Sequence, residues 1–577
     1  MSDRARIGFD VRRWETWPHA WKEWALRVLA MAIGVGVVGV LLATSRDLGY
    51  ARDEGFYFHA ARRYAEWFSL LADDRAAAIR RGAVDAHFVT NHEHPAFVKS
   101  LFALSHLADR RFHLFDEPGT AFRFPAMVLA GVMAMVTFLW GARRIGVAAG
   151  IVASLSLVFM PRVFYNAHLA CFDVPITALF ISTFYAYDRT LETSGIRWPV
   201  TTGVIFGLAL NTKHNSWFLP IALSAHAMAL ALVAWRTKTS VRGAVRRPIA
   251  ALIAMASIGP LVFVLGWPWL WFDTWARFKE YASFHLNHEY YNMEFLGQNY
   301  WEPPMPRLYA PVMTLATVPF VTLACAAVGL WVRGRDAVKG LRERDEDWQS
   351  RHGTTLLWVM GVLVSYGAWT SPNTPIFGGT KHWMNAYPFL ALLAGAGLAR
   401  AAGALREELE LRGISRLPTA VAPICAALAI GSPVVQALRA HPWGLSAYTP
   451  IVGGAPGAAS LGLNRTFWGY TTGSLVDYLN REVPKNGRVY PHDTAAPAWD
   501  MLQADGRLRK DIVAVWSADE ADIALYHHEM HMQGQEYQAW VAFGTVQPDI
   551  VRGLDGVPVI WAYKRQSLAT SGQSQKK

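Results

Sequence analysis

The sequence contains few cysteines and few charged residues for its length. Only 3 cysteines occur among 577 residues, and each lies within or at the edge of an apolar segment, so no disulfide framework is indicated. Charged residues make up 17% of the chain and hydrophobic residues 53%. Because many uncharged stretches reach the roughly 18 residues that a bilayer demands, we expect an integral membrane protein.

A cleavable signal peptide and a continuous basic surface are also missing. No small-residue cleavage site follows the first apolar run after Arg27, which should therefore remain as a helix. The net charge of +11 comes from short basic clusters between apolar runs. Such clusters fit the positive-inside rule of membrane proteins and argue against nucleic acid as a partner.

Eleven apolar segments have the length and composition expected of spanning helices. They lie at about 26–45, 121–140, 146–161, 173–188, 199–212, 216–235, 248–267, 309–332, 354–370, 384–400 and 418–438. With residues 1–25 in the cytoplasm, the short connections rich in Arg and Lys also fall on the cytoplasmic side. The expected fold is a mainly α bundle of about eleven transmembrane helices over residues 26–438, in the inner (plasma) membrane.

Two regions should lie outside this bundle, on the periplasmic face. The loop at 46–120 is long and helical in pattern, which predicts juxtamembrane helices. Residues 439–565 alternate helical and β-type runs, which predicts a small α/β domain. The β-type runs lie at 488–490, 511–516, 522–526 and 557–563. The polar segment 566–577 is expected to be disordered.

Ionisable residues gather on the same predicted face, at the ends of apolar segments. They are Asp53 and Glu54, Glu93 and His94, Asp173, Lys213, His285, His288 and Glu289, and Lys381 with His382. Ionisable groups at the margin of a membrane are costly and are often functional. A structural role stays open for each: the carboxylates could cap helices, the lysines could snorkel, and the histidines could lie in a wet loop.

One further cluster, His527-His528-Glu529-Met530-His531, has the composition of a metal motif. A zinc-binding helix of this type needs His-Glu-x-x-His, whereas position 532 is Met, so the spacing is wrong. We therefore interpret this cluster as a solvated helix start with no part in the site.

Several short motifs, taken in order, resemble those of the GT-C membrane glycosyltransferases. They are Asp-Glu-Gly-x-Tyr at 53–57, His-Glu-His-Pro at 92–95, Asp-Val-Pro at 173–175, Thr-Lys at 212–213, Trp-Pro-Trp-Leu at 267–270, and Thr-Lys-His at 380–382 followed by Tyr-Pro at 387–388. The protein O-mannosyltransferases and the lipid A aminoarabinose transferases are the most similar in pattern. The C-terminal region resembles loosely related bacterial members instead.

This resemblance implies transfer of a single sugar from a polyprenyl-phosphate-linked donor to a hydroxyl acceptor, with inversion. Asp53 would act as the general base, Glu54 would orient the acceptor, and Asp173 would position the acceptor or the sugar. The leaving lipid phosphate needs fixed cations, and the candidates are Arg52, His94, Lys213, Lys381 and His382. A divalent ion (Zn, Mn or Mg) would be held by Glu93 and His288.

Some questions stay open at this level. The acceptor could be a protein Ser or Thr, a lipid or a glycan, and neither the sugar nor the oligomeric state is determined. A polytopic transporter would also explain charges near the membrane, but transporters place them near the bilayer midplane and often carry inverted repeats. No repeat is visible, so we interpret the chain as a glycosyltransferase, with transport as the alternative. A scaffold protein would need no convergence of carboxylates.

Overall fold

The computed structural model describes residues 18–414 and 418–565. Most of the segment 1–25 and all of the segment 566–577, for which the sequence predicts a cytoplasmic start and a disordered tail, lie outside the described residues. α-Helices dominate the chain as far as residue 440, and the larger of two small sheets follows near the C-terminal end. The expected mainly α fold with a small C-terminal α/β part is therefore confirmed.

The N-terminal half is built from helices joined by short connections. They are α1 (His19–Thr44), α2 (Arg52–Asp73), α3 (Arg75–Ala78), α4 (Arg81–Phe88), α5 (Phe97–Phe112), α6 (Pro118–Arg144), α7 (Val147–Val158), α8 (Pro161–His168), α9 (Asp173–Glu192), α10 (Arg197–Leu210), α11 (Phe218–Thr237) and α12 (Val241–Leu265). Four of these, α2 to α5, lie in the predicted first loop, which confirms its helical pattern.

The second half continues with helices and one short hairpin. They are α13 (Thr274–Leu286), β1 (Met293–Phe295), β2 (Gln298–Tyr300), α14 (Tyr309–Thr317), α15 (Phe320–Arg342), α16 (Trp348–Gly367), α17 (Tyr387–Leu411) and α18 (Pro418–Ala440). Two predicted spans are bent, by 69° between α7 and α8 and by 117° between α14 and α15. Met160 precedes Pro161 and Val318 precedes Pro319, and a residue before proline avoids the helical conformation, so each helix ends there.

Six helices of the described chain are long and apolar enough to cross a membrane, or eight if each bent pair forms one span. The segments predicted at 173–188, 199–212 and 354–370 are helical, as α9, α10 and α16, but are not among these eight. α10 has only 14 residues, and α9 carries charged residues at both ends. The chain is a multi-pass membrane protein, and the number eleven stays a prediction.

After α18, helix α19 (Gly454–Ser460) leads to the C-terminal α/β region, which we define as residues 476–564. Its elements are α20 (Val476–Glu482), β3 (Arg488–Tyr490), α21 (Ala496–Ala504), β4 (Val513–Ala514), β5 (Ile523–His527), α22 (Gln533–Phe543), β6 (Ile550–Leu554) and β7 (Val557–Lys564).

The five strands of this region form one mixed sheet in the order β4-β3-β5-β7-β6. β3 pairs parallel with β4 and β5, and β7 pairs antiparallel with β5 and β6. The four predicted β-type runs are confirmed as β3, β4, β5 and β7. β6 was not predicted, because it is mostly exposed at the sheet edge and has no clear alternation. The domain boundary at 439 stays a prediction.

Residues of this C-terminal part pack against the chain just before α2. Asp505 accepts a hydrogen bond from the Tyr50 hydroxyl and another from the Gly119 amide, the latter at 2.9 Å. A Cβ atom on Gly49 would lie 2.1 Å from the Tyr470 carbonyl oxygen, so only glycine permits this approach. The start of α2 is therefore fixed from both sides, by the helical bundle and by the C-terminal α/β region.

Candidate active site

A cavity of about 940 Å³ opens where the first loop, several helix ends and the C-terminal α/β region meet. Nine of the ten residues that the sequence predicts for the site line it: Arg52, Asp53, Glu93, His94, Asp173, Lys213, His288, Lys381 and His382. Its volume is within the range of pockets that enclose small molecules. The fold thus brings together side chains from six separated stretches of sequence.

Asp53 lies in the first turn of α2 and pairs with a lysine that is 328 positions away in the sequence. Its Oδ2 atom is 3.1 Å from Lys381 Nζ, and that ammonium is 3.8 Å from the ring centroid of Trp468. The Asp53 side chain remains 25% exposed, whereas Lys381 is buried. The carboxylate is therefore both charge-paired and accessible from the cavity.

Asp173 forms a second carboxylate–lysine pair on the cavity wall. It is the first residue of α9, where the positive end of the helix dipole favours a negative charge. Its Oδ1 atom is 2.6 Å from Lys213 Nζ, and only 5% of the aspartate side chain is exposed. Both partners also line the cavity, so a bound substrate can reach this pair.

Glu54, which the sequence places beside the base, does not line the cavity. Its side chain is completely buried, and Arg123 holds both carboxylate oxygens, with Nε–Oε1 at 2.7 Å and Nη2–Oε2 at 2.8 Å. The backbone amides of Ala51 and Ala170 donate to the same two oxygens at 2.9 and 3.0 Å. Glu54 therefore joins three chain segments, and no oxygen is left for an acceptor.

The two cavity histidines predicted to bind phosphate are neutral at pH 7. Burial lowers the pKa of His94 well below its usual value, and the charges of neighbouring His285 and Lys99 lower it further. Burial and the charge of Lys381 likewise lower the pKa of His382. Both imidazoles can form hydrogen bonds but carry no positive charge, so the cations of this wall are Arg52, Lys213 and Lys381.

The residues predicted to hold a divalent ion have other partners. The Glu93 carboxylate accepts a hydrogen bond from the Asn91 side chain, and the His288 ring stacks on Phe377 with centroids 4.7 Å apart. No group of three or more His, Cys, Asp or Glu side chains within the described residues is arranged to hold a metal ion. A divalent ion at Glu93 and His288 therefore stays a prediction.

The C-terminal α/β region contributes residues that the sequence did not predict for the site. Glu529 and His531 line the cavity, and Asp493 forms an ion pair with Arg52. The interpretation of 527–531 as a solvated helix start is wrong, because β5 extends to His527 and Glu529 is buried. The histidine spacing carried no signal for this role, since the contacts depend on how the C-terminal α/β region packs on α2.

Solved structures similar to the chain include two that match over most of its length. ArnT from Cupriavidus metallidurans in the apo state is 15% identical with a TM-score of 0.48, and the match covers 94% of this chain and 98% of that one. The oligosaccharyltransferase AglB from Archaeoglobus fulgidus, in complex with an inhibitory peptide and a dolichol-phosphate, is 10% identical with a TM-score of 0.47, covering 92% and 72%. No curated protein matches the chain.

A family match covers the middle of the chain. Residues 101–267 match the family described as dolichyl-phosphate-mannose-protein mannosyltransferase. This stretch contains Asp173 and Lys213, but neither Asp53 nor Lys381, and it ends well before the C-terminal α/β region. Over residues 101–267 the chain is similar to these mannosyltransferases, and the resemblance to the GT-C membrane glycosyltransferases that its motifs indicate is confirmed.

Proposed function

We propose that this protein transfers one sugar from a polyprenyl-phosphate-linked donor to a hydroxyl group of a protein, lipid or glycan, at the periplasmic face of the inner membrane. The observation that carries the proposal is the single cavity in which two aspartates, each paired with a lysine, face the same space. The family match supports a lipid-phosphate sugar as the donor class. Carboxylates and fixed cations are the two kinds of group that this transfer needs.

Asp53 is the general base of this proposal. It is the more exposed of the two aspartates, so an acceptor hydroxyl can approach it. As the acceptor oxygen attacks the anomeric carbon, its proton passes to the Asp53 carboxylate. The bond between the anomeric carbon and the phosphate oxygen breaks on the opposite face, and the electron pair leaves with the lipid phosphate. The configuration at the anomeric carbon is inverted.

The cations Lys381, Lys213 and Arg52 stabilise the leaving phosphate. Lys381 is paired with Asp53, and a lysine ammonium can exchange one anionic partner for another because it binds as a point charge. A phosphate oxygen that takes over Lys381 frees Asp53 for the acceptor. The neutral imidazoles of His94 and His382 add hydrogen bonds to the donor without adding charge.

Asp173 and Glu54 take different roles from the base. Asp173 is held by Lys213 at the start of α9, and in this proposal it orients the sugar or the acceptor through hydrogen bonds. Glu54 is a structural residue, because all of its polar contacts go to the protein.

Transfer by purified protein in lipid nanodiscs, with a panel of radiolabelled polyprenyl-phosphate sugars, tests the proposal. The wild type should transfer at least one of these sugars, and Asp53→Asn should lower the rate by about 10²–10⁴ while still eluting as a folded protein. Asp116→Asn, an exposed carboxylate of the same loop, is the matched control. Near-normal transfer by Asp53→Asn would exclude Asp53 as the base. Flux of a substrate across vesicles without transfer would favour the transporter instead.

A further inference from the structure

Two acidic side chains of the C-terminal α/β region meet beside Arg52 at the edge of the cavity. Asp493 forms an ion pair with Arg52, and Glu529 lines the cavity. Only 2% of the Asp493 side chain and 8% of the Glu529 side chain are exposed. Glu529 lines the same cavity as Arg52 and the proposed base Asp53.

The hydrogen bonding of the two carboxyl groups is incomplete if both are ionised. Asp493 Oδ2 and Glu529 Oε1 are buried, and no described residue donates a hydrogen bond to either oxygen. Two buried negative charges beside one guanidinium would also leave one charge uncompensated, which is unfavourable. One proton held between the two groups removes both problems, since it supplies the missing donor and leaves a single charge opposite Arg52.

The surroundings decide which group holds this proton. Burial raises the pKa of Glu529 well above its usual range, the Asp493 charge raises it further, and Arg52 partly opposes this. The other groups that face Glu529 are Glu294, whose charge also raises its pKa, and His531, whose Nδ1 is 3.7 Å from Glu529 Oε2. Burial lowers the pKa of His531, so its imidazole is neutral at pH 7 and offers Glu529 no charge.

We propose that Glu529 is a substrate-binding residue that presents a neutral carboxylic acid to the cavity, with its proton donated to Asp493. Its remaining oxygen and the His531 imidazole form a neutral pair of hydrogen-bonding groups, which suits an uncharged hydroxyl rather than a phosphate. The hydroxyl belongs to the transferred sugar or to the acceptor. This inference rests on the proposed function and gives the C-terminal α/β region a direct part in binding substrate.

Substitutions of Glu529 distinguish a protonated carboxylic acid from an ionised carboxylate at this position. Glu529→Gln keeps a donor for Asp493 and a carbonyl for the substrate, so its kcat/KM should stay within about threefold of the wild type. Glu529→Ala removes both and should lose about tenfold or more. A KM that rises for the donor assigns the hydroxyl to the sugar, and one that rises for the acceptor assigns it there. Glu520→Gln, an exposed carboxylate of the same region, is the control.

The pH profile gives a readout that a purely structural role would not change. Because the pKa of Glu529 is raised, the acid form persists to a higher pH than in an ordinary glutamate and is lost as the pH rises through the raised pKa. Wild-type kcat/KM should therefore fall on the alkaline side, and Glu529→Gln should not show this fall. The same alkaline fall in both proteins, or a Gln variant as impaired as the Ala variant, would overturn the inference.

Infrared spectroscopy tests the protonation without any transfer assay. The wild type in nanodiscs at pH 7 should show the carbonyl band of a protonated carboxylic acid, and this band should be absent from Glu529→Gln and present in Glu520→Gln. Identical spectra for the wild type and Glu529→Gln would overturn the neutral acid even if the protein transfers sugar. Conversely, a wild type that shows the band but transfers no sugar would contradict the proposed function alone.

Discussion

The cavity and the buried cluster formed by Glu54 and Arg123 both contain carboxylates paired with cations. The two regions differ in how many hydrogen bonds each carboxylate receives. Asp53 and Glu54 are consecutive in α2, and consecutive helical residues point about 100° apart. Asp53 therefore faces the cavity with one lysine contact, whereas Glu54 faces inward and receives four hydrogen bonds. A carboxylate that is left partly open can serve a substrate, and one that is fully bonded can only stabilise the fold.

The cations of the two regions also differ in how many contacts they make with their carboxylates. Lys381 and Lys213 pair with the cavity aspartates through single contacts, and a flexible ammonium can change partners. Arg123 grips Glu54 through two nitrogens and also donates to the backbone carbonyl of Gly49 at 2.7 Å. Such a two-pronged contact fixes geometry. The comparison predicts that mutations in the cluster affect stability and that mutations in the cavity affect turnover.

Glu54→Gln should have the largest effect, and on folding. The amide keeps the size of the side chain but leaves the Arg123 guanidinium buried without a counter-charge, which should cost about 3–5 kcal/mol of unfolding free energy. Denaturant unfolding in detergent measures this, and the neighbouring Asp53→Asn should lose less, because Asp53 is 25% exposed and contacts one lysine. If Glu54→Gln unfolded like the wild type yet lost transfer, the result would support the acceptor-orienting role that the sequence predicts for Glu54.

Lys213→Met should have the next largest effect, and on turnover. Methionine keeps most of the apolar stem but removes the partner of Asp173 and one cation for the leaving phosphate. We expect kcat/KM to fall by about 10²–10³, measured by steady-state sugar transfer. Lys279→Met, which removes an exposed lysine, should leave the rate unchanged. A Lys213→Met protein as active as the wild type would show that the Asp173–Lys213 ion pair has no part in the reaction.

Gly378→Ala should have the smallest effect, through the position of Lys381. A Cβ atom there would lie 2.4 Å from Lys381 Cε and would push the ammonium away from Asp53, so transfer should fall by about tenfold. Gly544→Ala is the matched control, because its φ of +66° is close to the +70° of Gly378 but no atom lies within 4 Å. Equal loss in both variants would mean that backbone strain, and not the lysine, causes the effect.

The sequence predicted the cavity residues best where a signal is local. Asp53, Asp173 and Lys213 stand at the ends of apolar segments in short motifs, and a polar group at that position is informative by itself. Glu54 was predicted as a site residue because it lies in the same short motif as Asp53. Only the packing of Arg123, which is distant in sequence, distinguishes their roles.

Other features depend on contacts between distant parts of the chain. Glu529 acquires its surroundings when the C-terminal α/β region packs on α2, and the residue spacing within 527–531 does not indicate this packing. The span count depends on such contacts as well, because α9 is as long as a span and is buried among other helices. The sequence predicted where most helices lie, but it did not indicate which helices pack against each other.

The ion pair of Arg52 with Asp493 joins residues that are 441 positions apart. A chain is synthesised from its N-terminus and its domains fold in that order, so α2 and the proposed base are in place long before Asp493 leaves the ribosome. The wall formed by the C-terminal α/β region is therefore the last part of the cavity to be assembled. A chain released early would carry the two aspartates and both lysines, yet its cavity would lack one side, and sugar transfer would start only when synthesis is complete.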